Sequence, residues 1–220
     1  MAKELPILAI LGGTGKEGPG LAKRWAFAGY QVIIGSRLQE KAQQTATSLN
    51  EELNLDSVIG MENDQAAREA DICILTVVQS AHQAALAGLK DALLGKILVD
   101  ATARVDFRNP KPPAAPSAAE IAQKILGDSV QVVAAFQNVP AHALRRNLGE
   151  MLATQVIVCS NDEHAADKVI DLAQDGGMKA YYGGTLANAI VVEGLVSVLI
   201  SMNKHYGIKT ASIAVTGVLD

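Results

Sequence analysis

The pattern Gly13-Thr14-Gly15-Lys16-Glu17-Gly18, set directly behind an apolar run at residues 7–11, limits this chain to few folds. Alone, G-x-G-x-x-G is a weak motif; between a strand and a helix it gains a mechanism. Residues 7–11 predict a short buried strand, residues 19–28 a helix and residues 31–35 a second strand. In that setting Gly13 permits the tight turn, Gly15 lets a pyrophosphate approach the backbone, and Gly18 lets helix and strand pack closely. The phosphates then lie at the helix N-terminus, where unpaired N–H groups and the positive end of the dipole point at them.

The end of the second strand separates the two nicotinamide dinucleotides. NAD sites carry an acid roughly 20 residues beyond the glycines, to bind the ribose hydroxyls. This chain has Ser36 and Arg37 there, with Lys41 four residues on. An acid would repel a 2′-phosphate, whereas an arginine fork pairs with it bidentately and a serine hydroxyl adds a hydrogen bond. Positions four apart share a helix face, so Lys41 points where Arg37 points. The expected cofactor is NADP(H), with Thr14 as a further hydroxyl donor.

Composition narrows the partners. The chain has 220 residues, 49% hydrophobic and 19% charged, enough for one Rossmann-type domain and a modest extension. Aromatic residues make up 4%, the net charge is −4, and no basic tract occurs, which argues against nucleic acid as a partner. Cys73 and Cys159 lie in apolar runs without CxxC or clustered histidines, so they read as core residues of a reducing compartment; no metal is expected. Lys3 and Glu4 precede a strand rather than a cleavable leader, and the apolar run at 189–202 is interrupted by Glu193, Gly194 and two serines. That run reads as too short and too polar for a membrane span. A cytoplasmic location is the expectation.

Strand and helix patterns alternate along the chain. Helices are expected at 38–53, 64–70, 80–94 and 162–174, and strands at 57–61, 72–78, 97–99, 130–136, 155–160 and 178–182. Such alternation favours a doubly wound α/β sheet, mainly parallel. Residues 103–116 carry Pro110, Pro112, Pro113 and Pro116 and read as a loop or lid. Ser117-Ala118-Ala119-Glu120 matches a capping box and starts a helix. Residues 185–206 form a long apolar helix, the spine of a cap or dimer interface. The expected division is a Rossmann-type nucleotide-binding domain at 1–160 and a small, partly helical C-terminal extension at 161–220, packed directly on the sheet.

In open parallel sheets, ligands bind beyond the carboxyl ends of the strands. Residues 76–80, 100–105 and 136–141 fall there besides the glycine turn. His82 reads either as a proton donor or, more plainly, as a surface or capping residue. Asp100 reads as a loop cap. His142, Arg145 and Arg146 form a basic cluster that suits an anionic tail on a second substrate, or else a solvated helix face. Glu193 needs a partner if buried, and Asn188 is a candidate for the cofactor end. No Gly-x-Ser-x-Gly occurs and no acid/base pair stands out, so no catalytic side chain is assigned. Hydride transfer between two rings needs stacking, orientation and dry surroundings more than a general base.

Leu11-Gly12-Gly13-Thr14-Gly15, Gly35-Ser36-Arg37 with Lys41 and Ala42, and Phe136-Gln137-Asn138-Val139-Pro140-Ala141 together resemble the F420-dependent NADP reductases. Residues 117–121, the Leu186/Asn188/Glu193 spacing and Gly207-Ile208-Lys209 extend the resemblance over nearly the whole chain. It implies hydride transfer between NADP(H) and coenzyme F420, an 8-hydroxy-5-deazaflavin, in a homodimer. It also implies that Thr14, Gly15, Lys16 and Glu17 hold phosphates, and that Ser36, Arg37 and Lys41 hold the 2′-phosphate. Gln79 and Val105 then flank the nicotinamide, Ala141 closes on the cofactor, and Gln137, Asn138, Val139 and Pro140 lie between the rings. The chain departs from the family at Gln137, where members carry His or Asn, and at Val78 and Gln79, where they carry Pro and Trp. An NADPH reductase of another small acceptor (flavin, ferric chelate or cyclic imine) and a non-catalytic NADP(H)-binding regulator are the other readings.

Overall fold

Strand β1 (Leu8–Leu11) is buried at every position, and its side chains alternate between two cores. Leu8 and Ile10 face one layer, Ala9 and Leu11 the other, as the two-residue period of a strand covered on both faces requires. The computed structural model describes residues 5–218; Lys3 and Glu4 lie outside them. Helix α1 (Gly18–Phe27) follows the glycine turn, then β2 (Val32–Ser36), α2 (Gln39–Leu53), β3 (Val58–Glu62), α3 (Asn63–Glu69) and β4 (Ile72–Leu75). Helix α4 (His82–Leu89), β5 (Ile97–Asp100), α5 (Ala118–Leu126), β6 (Gln131–Ala134) and the short α6 (Ala141–Leu144) come next. The chain ends with β7 (Val156–Ser160), α7 (Glu163–Asp175), β8 (Ala180–Tyr182) and α8 (Ala189–Tyr206).

The strands form one sheet in the order β3-β2-β1-β4-β5-β6-β7-β8, with parallel neighbours except for the antiparallel pair β6–β7. This is the expected Rossmann-type doubly wound sheet, with its switch point between β1 and β4. Trp25, Leu21 and the buried positions of α2 and α7 cover one face. Leu86, Leu89, Ala119, Leu186 and Val192 help to cover the other. Cys73 and Cys159 are free thiols in these cores, and burial pushes them up to about 12 and about 11.

Several element ends differ from the sequence pattern. Strand β4 stops at Leu75 rather than at 78; just beyond it Thr76 donates its N–H and its hydroxyl to the Leu11 carbonyl of β1, at 2.9 and 3.3 Å. The stretch expected as one helix over 80–94 is a 3₁₀ turn at Gln79–Ala81, then α4, then a 3₁₀ turn at Asp91–Leu93. The capping box is fully made: the Glu120 N–H donates to Ser117 Oγ at 3.1 Å, and the Ser117 N–H donates to Glu120 Oε2 at 2.7 Å. Residues 103–116 have no regular element. The segment Leu186–Tyr206 is 21 residues long with mean hydropathy 1.7, so by length and composition it passes for a membrane span, against the sequence expectation. Its Glu193 is nonetheless buried on an arginine, and Val192 and Leu199 are buried as well.

Candidate functional site

The glycine turn is built as the spacing requires. A Cβ on Gly13 would lie 2.6 Å from the Ile10 carbonyl oxygen, and one on Gly18 would lie 2.5 Å from the Gly13 carbonyl oxygen, so neither tolerates a side chain. Gly15 is different. It is exposed, and a Cβ there would meet only the Gly12 carbonyl oxygen, at 3.8 Å. The space above it is open to a ligand lying on the backbone, which is how a pyrophosphate is held. Gly12 adopts φ +72°, and Asn63 at the start of α3 accepts its N–H at 3.0 Å, tying the turn to the neighbouring crossover. Thr14 is partly buried and Lys16 is exposed. Glu17 precedes α1, and its Oε1 is buried without a hydrogen-bond partner. Burial alone pushes this carboxyl up to about 8. A neutral carboxyl next to a phosphate site is far less repulsive than a carboxylate.

At the end of β2, Ser36 is 6% exposed, and its hydroxyl accepts the Leu38 N–H at 3.3 Å. Arg37 and Lys41 are exposed at the start of α2, and neither has an ion-pair partner among the described residues. Two uncommitted cations beside a strand end without an acid suit the extra phosphate of NADP(H).

The third group of residues lies at the carboxyl ends of β4, β5 and β6. Gln79 is exposed in its 3₁₀ turn, and Val105 is buried at the start of the proline-rich loop. Phe136 leaves β6 with φ +72°, unusual for a residue with a large side chain, and the Val139 N–H closes the turn on its carbonyl at 2.9 Å. Phe136 is fully buried and packs edge-on against Trp25, with ring centroids 5.7 Å apart. Gln137 donates from Nε2 to the Asp100 carbonyl at 2.8 Å, and Asn138 donates from Nδ2 to the Gln155 carbonyl at 2.6 Å. Their other oxygens, with Thr102 Oγ1, are buried without partners. Pro140 precedes α6, and Ala141 opens it.

Below Gln137 lies a pair that the sequence reading did not foresee. His82 is 2% exposed and Asp100 0%, and His82 Nε2 lies 2.7 Å from Asp100 Oδ2. His82 is therefore neither a surface nor a capping residue. Asp100 Oδ1 also accepts the Thr102 N–H at 3.0 Å, the loop cap that was expected. Through its carbonyl, Asp100 holds Gln137.

Two arginines complete the frame. Arg24 on α1 is 2% exposed and donates to the carbonyls of Leu144 at 3.1 Å, Arg146 at 2.6 Å and Gly176 at 3.0 Å. Arg104 donates to Glu193 Oε1 from its N–H at 2.7 Å and from Nε at 2.8 Å, while Glu193 Oε2 accepts the Ala118 N–H at 2.9 Å. Glu193 thus finds its partner in the proline-rich loop, and Asn188 donates to the Gly183 carbonyl instead. The partners of Arg24 and Glu193 lie 75 to 152 residues away in sequence, beyond the reach of any local pattern.

The family model for NADP oxidoreductase, coenzyme F420-dependent, matches residues 7–104. An F420-dependent NADP reductase of Methanocaldococcus jannaschii is 39% identical over 224 residues, covering 95% of this chain and 97% of its own length. Another, of Methanothermobacter marburgensis, is 39% identical over 219 residues, with the same two coverages of 95% and 97%. The crystal structure of a candidate F420-dependent NADP reductase from Arthrobacter sp. FB24 superimposes with a TM-score of 0.79 at 25% identity, covering 96% of this chain and all of the other.

Proposed function

The chain belongs to the family of F420-dependent NADP reductases, and from that premise we propose how its residues serve hydride transfer between NADP(H) and coenzyme F420. The chemistry belongs to the two ring systems: a hydride leaves one carbon and arrives at another, without a covalent enzyme intermediate. The protein supplies binding, orientation and a dry contact between the rings.

In this reading Gly13, Thr14, Gly15, Lys16, Glu17 and Gly18 form the cradle for the dinucleotide phosphates. The open space over Gly15 is the observation that carries it. Ser36, Arg37 and Lys41 grip the 2′-phosphate and select NADP(H) over NAD(H). Gln79 and Val105 border the nicotinamide, and Gln137 to Ala141 form the floor on which the two rings meet. The unpaired oxygens of Gln137 and Asn138 support that placement, since a bound ring carrying amide N–H groups gives such acceptors their missing donors. The bond from Gln137 Nε2 to the Asp100 carbonyl fixes which end of the amide remains to be satisfied.

The C-terminal part, residues 161–220, acts in this account as the substrate and dimerisation unit behind a nucleotide-binding unit at 1–160. Its support is the reversal of strand direction at β7 and an apolar row on α8, where Val191, Val198 and Met202 are 65%, 51% and 41% exposed. A second copy of the chain covers that row in a homodimer, for which a light-scattering mass of twice the chain is the check. A cytoplasmic location accompanies this reading, with no nucleic acid or membrane as partner; fractionation of host cells tests it.

The activity itself is tested by mixing the purified protein with NADPH and oxidised deazaflavin. Loss of the deazaflavin absorbance is expected. Turnover with free flavin, ferric chelate or a cyclic imine in place of the deazaflavin contradicts the assignment, and so does tight NADPH binding with no acceptor reduced.

A further inference from the structure

Arg145 lies 129 residues from the glycine turn in sequence, yet its Nη2 donates to the Lys16 carbonyl at 3.1 Å. Its approach is built rather than incidental. Helix α6, which delivers it, packs so closely on α1 that a Cβ on Gly20 would lie 2.7 Å from Leu144 Cβ and 3.6 Å from Arg145 Cγ. Gly20 is outside the G-x-G-x-x-G pattern, so its small size serves this contact and not the turn. The backbone is held on both sides of Arg145 as well. Buried Arg24 takes the carbonyl before it, Leu144, through Nε, and the carbonyl after it, Arg146, through Nη2. A second arginine thus fixes the backbone from which the Arg145 side chain extends.

The side chain itself is exposed and, among the described residues, has no acidic partner; Lys16 O is the one acceptor bonded to it. The remaining N–H groups of its guanidinium are uncommitted. A planar fork with free donors, anchored at the rim of a phosphate cradle, is suited to a bidentate grip on a phosphate oxygen pair.

We propose that Arg145, held on α6 by Gly20 and Arg24, is a clamp on the diphosphate of the bound dinucleotide, adding from across the cleft to what the glycine turn supplies. This rests on the reading of residues 13–18 as the phosphate cradle. It assigns the basic cluster around α6 to the dinucleotide and not to an anionic tail on the deazaflavin.

The test compares wild type with Arg145→Gln, which keeps a polar side chain but removes the charge. Fluorescence titration gives the affinity for NADPH and, by displacement, for 2′-AMP, which has the 2′-phosphate but no diphosphate. Steady-state rates give KM for the deazaflavin. The expected result is a loss of about tenfold or more in NADPH affinity, a shallower salt dependence of that affinity, and unchanged 2′-AMP binding and deazaflavin KM. Arg145→Lys, with a point charge in place of the fork, is expected to fall between the two. Unchanged NADPH affinity with a raised KM for the deazaflavin would overturn the clamp in favour of a tail site. Equal losses for NADPH and 2′-AMP would overturn it too, by showing that Arg145 only braces the turn. A wild-type chain that does not bind NADPH at all removes the cradle reading itself, and the clamp with it.

Discussion

At the scale of single residues, the function proposed above puts the cofactor selectivity on Arg37 at the end of β2. Among the described residues Arg37 makes no ion pair, so its charge is available to a 2′-phosphate. Arg37→Asp replaces a charge-assisted hydrogen bond with a repulsion and is expected to weaken NADPH binding by about 2–4 kcal/mol. NADH, which lacks that phosphate, is expected to change far less; equal losses in parallel titrations would place Arg37 away from the 2′-phosphate. Glu17 gives a pH-dependent expectation. Its carboxyl is pushed up to about 8 in the folded chain from an ordinary 4.5. Between those values the unfolded chain gives up a proton that the folded chain keeps, so stability falls as pH rises across that window. Glu17→Gln cannot ionise, and its Tm is expected to exceed that of wild type by a few degrees at pH 8 and to match it more closely near pH 4.5. NADPH affinity should decline above pH 8 in wild type and hold level in the variant. Identical melting curves at both pH values would show that the carboxyl is not buried as described.

At the scale of elements, the proline-rich loop is held to α8 by the Arg104–Glu193 ion pair and by Lys204 Nζ, which donates to the Arg108 carbonyl at 2.9 Å. Glu193 is 1% exposed and accepts from Arg104 and from the first N–H of α5, so three segments meet at a single carboxylate. Arg104→Ala leaves that carboxylate buried without its cation and is expected to cost about 3 kcal/mol in denaturant unfolding. Proteolysis within residues 103–116 should accelerate. Adding Glu193→Gln to Arg104→Met removes the buried charge but keeps an acceptor for the Arg104 and Ala118 N–H groups, and should recover much of the loss, because the cost lies in the unpaired charge. A single variant as stable as wild type would mean that the pair does not anchor the loop. The loop was legible from its prolines and α5 from its capping box, both local signals. The anchor was not: Arg104 and Glu193 lie 89 residues apart, and no helical or strand period links them. The same holds for Arg24 with α6 and for His82 with Asp100. The sequence leaves His82 open between a proton donor and a surface or capping residue, because its position at a helix start says nothing about what the next strand brings against it.

The whole molecule explains why the cofactor half was the easier part to read. In a doubly wound sheet the ends of β1 and β2 are close to their motifs in sequence, so the glycine turn, Ser36 and Arg37 could be placed from spacing alone. The other wall of the cleft comes from β4, β5, β6 and α6, and is assembled only when strands far apart in sequence pair. Gln137 and Ala141 could be assigned from resemblance, but their supports (the Asp100 carbonyl, the left-handed Phe136, the Trp25 ring) appear only in three dimensions. Strand ends shifted for a related reason: β6 was expected to reach residue 136 but stops at Ala134, because Phe136 must turn the chain towards the cleft. Direct hydride transfer requires that this cleft hold both rings at once, face to face and shielded from water. That requirement is tested most directly with NADPH deuterated at the transferred position of its nicotinamide, reacted with oxidised deazaflavin in ordinary water. Mass spectrometry of the reduced deazaflavin should find the deuterium on its ring carbon, delivered without exchange. Reduced deazaflavin carrying only solvent hydrogen at that carbon would contradict direct transfer between the two rings.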